Sequence, residues 1–85
     1  MKIEVTGQIQ YISEPKEISG KEKHYFKTMW VKTLENSYIA INAWDEKMEK
    51  VDDYKVKDII TVDCRIESHQ NKKREGLHFH KIFLV

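Results

Sequence analysis

Two tryptophans, Trp30 and Trp44, are the side chains of this sequence whose chemistry points most directly to a ligand. Each lies in a run of alternating residue types, which predicts a β-strand with successive side chains on opposite faces. The aliphatic residues at positions 39, 41 and 43 form one set, so a core on that side leaves the Trp44 ring on the outer face. Nucleic-acid bases are natural partners for such a ring, because every base has a flat π-face. The alternative is that one or both rings fill the core.

The same strands and the neighbouring loops supply weaker candidates. Phe26 and Tyr38 share the predicted outer face with the tryptophans, and basic residues cluster in two polar loops, where they could contact phosphates. An ordinary solvated loop is the alternative for each basic cluster. The predicted nucleic-acid-binding residues are Trp30, Trp44, Phe26, Tyr38, Lys32, Lys21, Lys23, Lys72, Lys73 and Arg74.

Length and composition indicate one small globular domain. The chain has 85 residues, of which 40% are hydrophobic and 34% charged, which argues against disorder. The net charge of +1 is far from the strongly basic balance of most nucleic-acid binders, so binding would depend on the local clusters. No apolar run approaches the roughly 20 residues of a membrane span, and the first residues lack a signal-peptide pattern, so a cytoplasmic protein with no membrane contact is expected.

The sequence gives little support to a reactive thiol, a metal site or an enzyme active site. Cys64, the single cysteine, lies in an apolar alternation and is predicted to be a core residue. His78 and His80 share one strand face, but this spacing alone is a weak indication of a metal, and a solvated or base-contacting face is expected instead. There is no phosphate-cradling glycine loop and no nucleophile motif. The sequence therefore predicts no enzyme, no catalytic residue, no metal and no cofactor.

The elements that must position these side chains follow the order β-β-β-α-β-β. This order predicts an all-β, five-stranded OB-fold barrel over residues 1–85. A bulge or a sharp bend, as at a barrel corner, is expected at Gly7. Core or barrel-end positions are expected for Tyr11 and Tyr25, and a left-handed turn residue is expected at Asn36. Ser13 to Lys23 is predicted to be a long loop. The predicted strands are Ile3 to Ile12, His24 to Thr33, Tyr38 to Trp44, Ile60 to Glu67 and Leu77 to Val85. A short helix, capped by Asp45, is predicted within Asp45 to Tyr54. A polar loop is predicted from Ser68 to Gly76.

Three stretches of the chain resemble the single-stranded DNA-binding protein family of bacteria and phages. They are Tyr38 to Glu49, which ends a strand in an aromatic residue and leads into a helix, Tyr54 to Val62, and Arg65 to Ser68. A family of small uncharacterised bacterial OB-fold proteins is similar in length and layout. The sequence departs from the first family at Asp45 and Asp58, where that family usually has glycine, and it lacks the family's glycine-rich tail with an acidic tip.

The resemblance implies a function and partners. Trp44 matches the family's base-stacking aromatic position, and Trp30 lies where another exposed aromatic often occurs. The implied protein binds single-stranded DNA, with RNA as a possible ligand, has little sequence preference and forms a homodimer, in a bacterial or phage-infected cell. The alternative is an OB-fold protein–protein interaction module in a DNA replication or recombination complex, for which exposed tryptophans would be interface anchors.

Overall fold

The computed structural model describes residues 1–18, 20, 23–70 and 78–85, and the side chains of positions 68–70 and 78–80 lie outside that description. Most of the described chain is β-strand. The six strands are β1 (Lys2–Ile12), β2 (Lys16–Ile18), β3 (His24–Thr33), β4 (Tyr38–Trp44), β5 (Ile59–Gln70) and β6 (His78–Leu84). A 3-10 turn, Asp45–Lys47, leads into the short helix α1, Met48–Asp52, between β4 and β5.

Five of these strands close into an OB-like barrel. Their order is β1-β5-β6-β4-β3, and β3 pairs back with β1 to close the ring. Every neighbouring pair is antiparallel except β4 and β6, which run parallel and meet at Ile41 and Ile82. The predicted all-β OB-like barrel is therefore confirmed. Among the described residues, no helix is both long enough and apolar enough to cross a membrane.

The core of the barrel is small, and its residues alternate with outward-facing residues along the strands. Aliphatic side chains from every barrel strand meet inside it, and α1 closes one end with Val51, which is 1% exposed. Cys64 is fully buried, and desolvation raises the pKa of its thiol to about 11, so it is a protonated core residue as predicted. The buried set is Val5, Ile9, Met29, Val31, Ile41, Ala43, Val51, Ile60, Val62, Cys64 and Leu84.

Gly7 is the residue at which β1 passes from one partner strand to the other. It pairs with Thr33 of β3 and with Ile60 of β5. A Cβ atom at this position would clash with the carbonyl oxygen of Lys32 and come within 2.7 Å of Val31 Cγ1. The barrel corner predicted at Gly7 is thus present, and it requires glycine because two backbones approach closely there.

The bulge itself lies further along β1, and it changes where Tyr11 points. The register with β3 shifts between Ile9 and Tyr11, so one extra residue occupies the strand at that point. An extra residue reverses the side-chain alternation, and Tyr11 is therefore 58% exposed. A core position for Tyr11, one of the two predicted alternatives, is wrong for this reason. Tyr25 is also 40% exposed, so it too is outside the core.

Several element bounds also differ from those predicted. The predicted loop from Ser13 to Lys23 contains β2, which is exposed throughout and pairs only with β3, so its polar residues carry no core signal. The strand β5 continues to Gln70, beyond the predicted start of the last loop. The turn at Asn36 has the predicted left-handed backbone, with φ of 62°. Asp45 makes no side-chain capping bond to the helix, which contradicts the predicted cap.

Candidate nucleic-acid interface

The outer face of β3 and β4 carries both tryptophans. Trp30 is 43% exposed and pairs across the strands with Ala40, whose small side chain leaves the indole face open. On its other side, Trp30 is in register with Tyr11 of β1. Tyr38, 60% exposed, lies two residues before Ala40 on the same face. We call Tyr11, Trp30 and Tyr38 the open aromatic cluster.

A second group of rings surrounds Trp44. Phe26 is its cross-strand partner, and the two rings stack with centroids 5.1 Å apart and planes 27° apart. His24 meets the indole edge-on at 6.5 Å, and Phe83 of β6 lies at 6.3 Å. Trp44 is half-buried as a result. We call Phe26, Trp44, His24 and Phe83 the packed aromatic cluster.

The indole N–H of Trp44 is buried and has no acceptor among the described residues. A buried donor without a partner costs roughly 1–3 kcal/mol, and such groups in folded proteins often lie at functional sites. Ring contacts, rather than a hydrogen bond, therefore hold the Trp44 ring in this position.

A short polar bridge separates the two aromatic clusters. The Thr28 hydroxyl donates to the side-chain oxygen of Asn42 at 2.9 Å, and Asn42 Nδ2 donates to the backbone oxygen of Ile82 at 3.3 Å. Asn42 thereby links β3, β4 and β6 on the outer face. From Ala40, opposite Trp30, to Trp44 is four residues along β4, or about 13 Å. The outer face thus presents two stacking surfaces with hydrogen-bonding groups between them.

Asp45 follows Trp44 directly, and its carboxylate is hydrogen-bonded within the protein. Its carboxylate accepts a hydrogen bond from the His24 ring at 3.0 Å and another from the Tyr25 backbone N–H at 3.1 Å. The bond from His24, followed by that from Tyr25, lowers the pKa of Asp45 below its ordinary value of 3.8. The backbone at Asp45 is left-handed, with φ of 44°, a conformation that favours glycine and that aspartate tolerates better than most residues. Asp45 therefore joins the end of β4 to the start of β3.

A groove of about 490 Å³ opens beside the packed cluster, across β6 and β5. Its floor includes Trp44 and Phe83. The guanidinium of Arg65 lies 5.5 Å from the centre of the Phe83 ring, and it pairs with Glu67 at 3.1 Å. The residues that line the groove are Lys2, Trp44, Lys47, Arg65, Glu67, Phe83, Leu84 and Val85.

The predicted site residues divide into three groups in the structure. Trp30, Trp44, Phe26, Tyr38 and Lys32 lie together on the outer face of β3 and β4, where the alternation placed them. Lys23 is exposed beyond the start of β3, with its Nζ 4.0 Å from Glu17. The remaining four predicted residues, Lys21, Lys72, Lys73 and Arg74, lie outside the described residues.

Sequence reasoning missed part of this surface. The outward direction of Phe83 could not be predicted because the last strand is apolar on both faces. The outward direction of Tyr11 could not be predicted because a bulge reverses the alternation before it. Arg65 and Lys2 are in register across β5 and β1, but their strands are far apart in the sequence. The alternation of β5 does place Arg65 on the outer face, so that signal was available.

The described part of the chain gives no support to a metal site. No group of three or more histidine, cysteine, aspartate or glutamate residues within it could hold a metal ion. The side chains of His78 and His80, which were weighed as metal ligands, lie outside the description. Lys27 turns to the inner side of β3 and pairs with Asp52 of α1 at 2.6 Å, so it is not a phosphate contact on the outer face.

Comparisons with known proteins add no further assignment. No protein-family model matches the chain, and no curated protein or solved structure matches it either.

Proposed function

We propose that this protein binds single-stranded nucleic acid, DNA in preference to RNA, on the outer face of β3 and β4. The observation that carries the proposal is the presence of two aromatic clusters on one face of an OB-like barrel, separated by the Thr28–Asn42 bridge. Bases would stack on Trp30 and Trp44, and phosphates would meet basic side chains around them. Stacking accepts any base, so little sequence preference is expected.

The local charges favour this function more than the net charge does. Asp45, the anion nearest Trp44, is already bonded to His24 and to the Tyr25 backbone. Lys32 lies on the outer face two residues beyond Trp30, in register with Tyr38. Lys32 therefore places a positive charge beside Trp30 and Tyr38, where a phosphate of a stacked strand would lie.

The expected homodimer and a role in DNA replication or recombination in the cytoplasm belong to the same proposal. A single barrel offers a short track, and pairing two barrels would lengthen the bound segment and raise its affinity.

A protein–protein interaction module is the second candidate, and one observation favours it. Leu34 and Ile59 are 83% and 75% exposed, and both line a shallow groove with Gly7 and Gln8, away from the packed cluster. Neighbouring exposed aliphatic side chains are more typical of protein-binding surfaces than of nucleic-acid-binding ones.

Tryptophan fluorescence during titration with oligo-dT tests the proposed function. Both indoles are reporters, so strong quenching at low salt that weakens as salt is added is the expected result. Polyglutamate of equal charge is the matched control, because it offers anions without bases and should quench far less. An emission spectrum that oligo-dT leaves unchanged at low salt would contradict nucleic-acid binding and leave the interaction module as the better reading.

A further inference from the structure

The groove across β6 and β5 extends beyond β3 and β4, the two strands that carry the proposed interface. It begins at Trp44, where the packed aromatic cluster ends, and continues over Phe83 to Arg65 and Lys2. The register makes this path continuous, because Phe83 is opposite Arg65, and Arg65 is opposite Lys2. Outward-facing positions therefore continue from Trp44 on β4 over Phe83 on β6 and Arg65 on β5 to Lys2 on β1.

The chemistry of the groove fits a base joined to a phosphate. Phe83 supplies a ring that is half-buried at one side by Trp44. Among the described residues, the three cationic side chains that line the groove, Lys2, Lys47 and Arg65, outnumber the one side-chain carboxylate, Glu67. Guanidinium groups bind phosphate in a bidentate manner and also stack on rings, so Arg65 suits both parts of a nucleotide.

Arg65 is available to such a ligand. Its side chain is 56% exposed and that of Glu67 is 40% exposed, so the ion pair between them is a surface pair. Surface pairs of this kind contribute little to stability, and a phosphate can compete for the guanidinium without a large cost. Glu67 would thus hold Arg65 over Phe83 in the free protein and compete with the ligand for it.

We infer that the bound strand continues past Trp44 into this groove, with Phe83 as a further stacking position and Arg65, aided by Lys2 and Lys47, as the phosphate contact. This inference rests on the proposed nucleic-acid binding. It assigns the ligand of the groove as a segment of the same single strand, because rings and cations together match nucleotides better than they match an acidic peptide.

The test compares four variants by oligo-dT titration over a salt series. Phe83→Leu keeps the apolar contact with Trp44 but removes the ring, and it should weaken binding by about 5-fold or more. Arg65→Gln should lower the slope of log affinity against log salt by about 0.7, the value for one phosphate contact. Lys55→Gln is the matched charge control, since Lys55 is exposed and lies outside the groove lining. Glu67→Gln should strengthen binding, because it removes the competing carboxylate.

The outcomes separate this inference from the function on which it rests. If oligo-dT binds the native protein but Phe83→Leu and Arg65→Gln bind as tightly as Lys55→Gln, the groove does not hold the strand and the inference fails alone. If the native protein binds no oligo-dT, both fail. If an acidic peptide of matched length binds the protein through Arg65 without displacing oligo-dT, the groove belongs to a protein partner and the inference is also overturned. If circular dichroism shows that Phe83→Leu is misfolded, Arg65→Gln still tests the inference, because Arg65 is exposed and its substitution leaves the core unchanged.

Discussion

The two tryptophans share a residue type and a face of the barrel, but their surroundings differ. Trp30 stands opposite Ala40 and is 43% exposed, whereas Trp44 stacks on Phe26 and is half-buried. The register of β3 with β4 sets an alanine against one indole and a phenyl ring against the other, and Phe83 of β6 adds a further ring beside Trp44. In the proposed interface, Trp30 would therefore serve ligand binding almost alone, whereas Trp44 would serve both binding and folding.

The largest effect on stability that would test this comparison is expected from Trp44→Ala. Removing a half-buried indole from between Phe26 and Phe83 should lower the free energy of unfolding by about 2 kcal/mol, less than the cost at a fully buried site. Urea unfolding followed by circular dichroism measures it, with Trp30→Ala as the control. Equal losses in the two variants would show that the packed surroundings of Trp44 add no more stability than the open surroundings of Trp30.

Trp30→Ala should separate binding from folding. Loss of one stacking position should weaken oligo-dT binding by about 1–3 kcal/mol. The free energy of unfolding should change by no more than about 0.5 kcal/mol, as for other surface substitutions. Fluorescence anisotropy of a labelled oligonucleotide measures the binding, and Val56→Ala, at an exposed position in the turn before β5, is a suitable control. Undiminished binding by Trp30→Ala would remove the open aromatic cluster from the proposed interface.

The smallest expected effect is a pH dependence of the melting temperature that arises from Asp45, which is bonded to His24 of the packed aromatic cluster. The folded state lowers the pKa of Asp45 below 3.8, so the ionised carboxylate stabilises the fold. This contribution is fully present above the unfolded value and is lost as the pH falls through the lower folded value. Asp45→Asn should therefore flatten the acid limb of the melting temperature against pH, most visibly just below pH 3.8. An Asp45 titration midpoint at or above 3.8, measured by NMR, would contradict the His24 and Tyr25 bonds as its cause.

Much of the interface followed from strand alternation. The period of two in β3 and β4 placed Phe26, Trp30, Tyr38 and Trp44 outward, and these positions agree with the structure. Asn36 was predicted in a left-handed turn because its side chain tolerates that backbone, and it adopts one. These features are local, since each depends on a few neighbouring residues and on which face is buried.

Alternation could not predict the reversal at Tyr11 or the edge strand β2. The bulge after Ile9 adds a residue that has no signature in the sequence around it, and Gly7, where a bulge was expected, is regularly paired on both sides. β2 has no buried residue, so only its pairing with β3 defines it. In both cases the deciding contact is to another strand.

Taken alone, the amino-acid sequence determined the β-rich class, the composition of the core and the direction of the rings in β3 and β4, because hydrophobic alternation is a property of each strand. Only the tertiary structure decided which rings meet. Phe83 reaches Trp44 through the parallel pairing of β4 with β6, and Arg65 reaches Phe83 through the antiparallel pairing of β5 with β6. These pairings join segments that are distant in sequence, and their register is a property of the closed barrel rather than of any one strand.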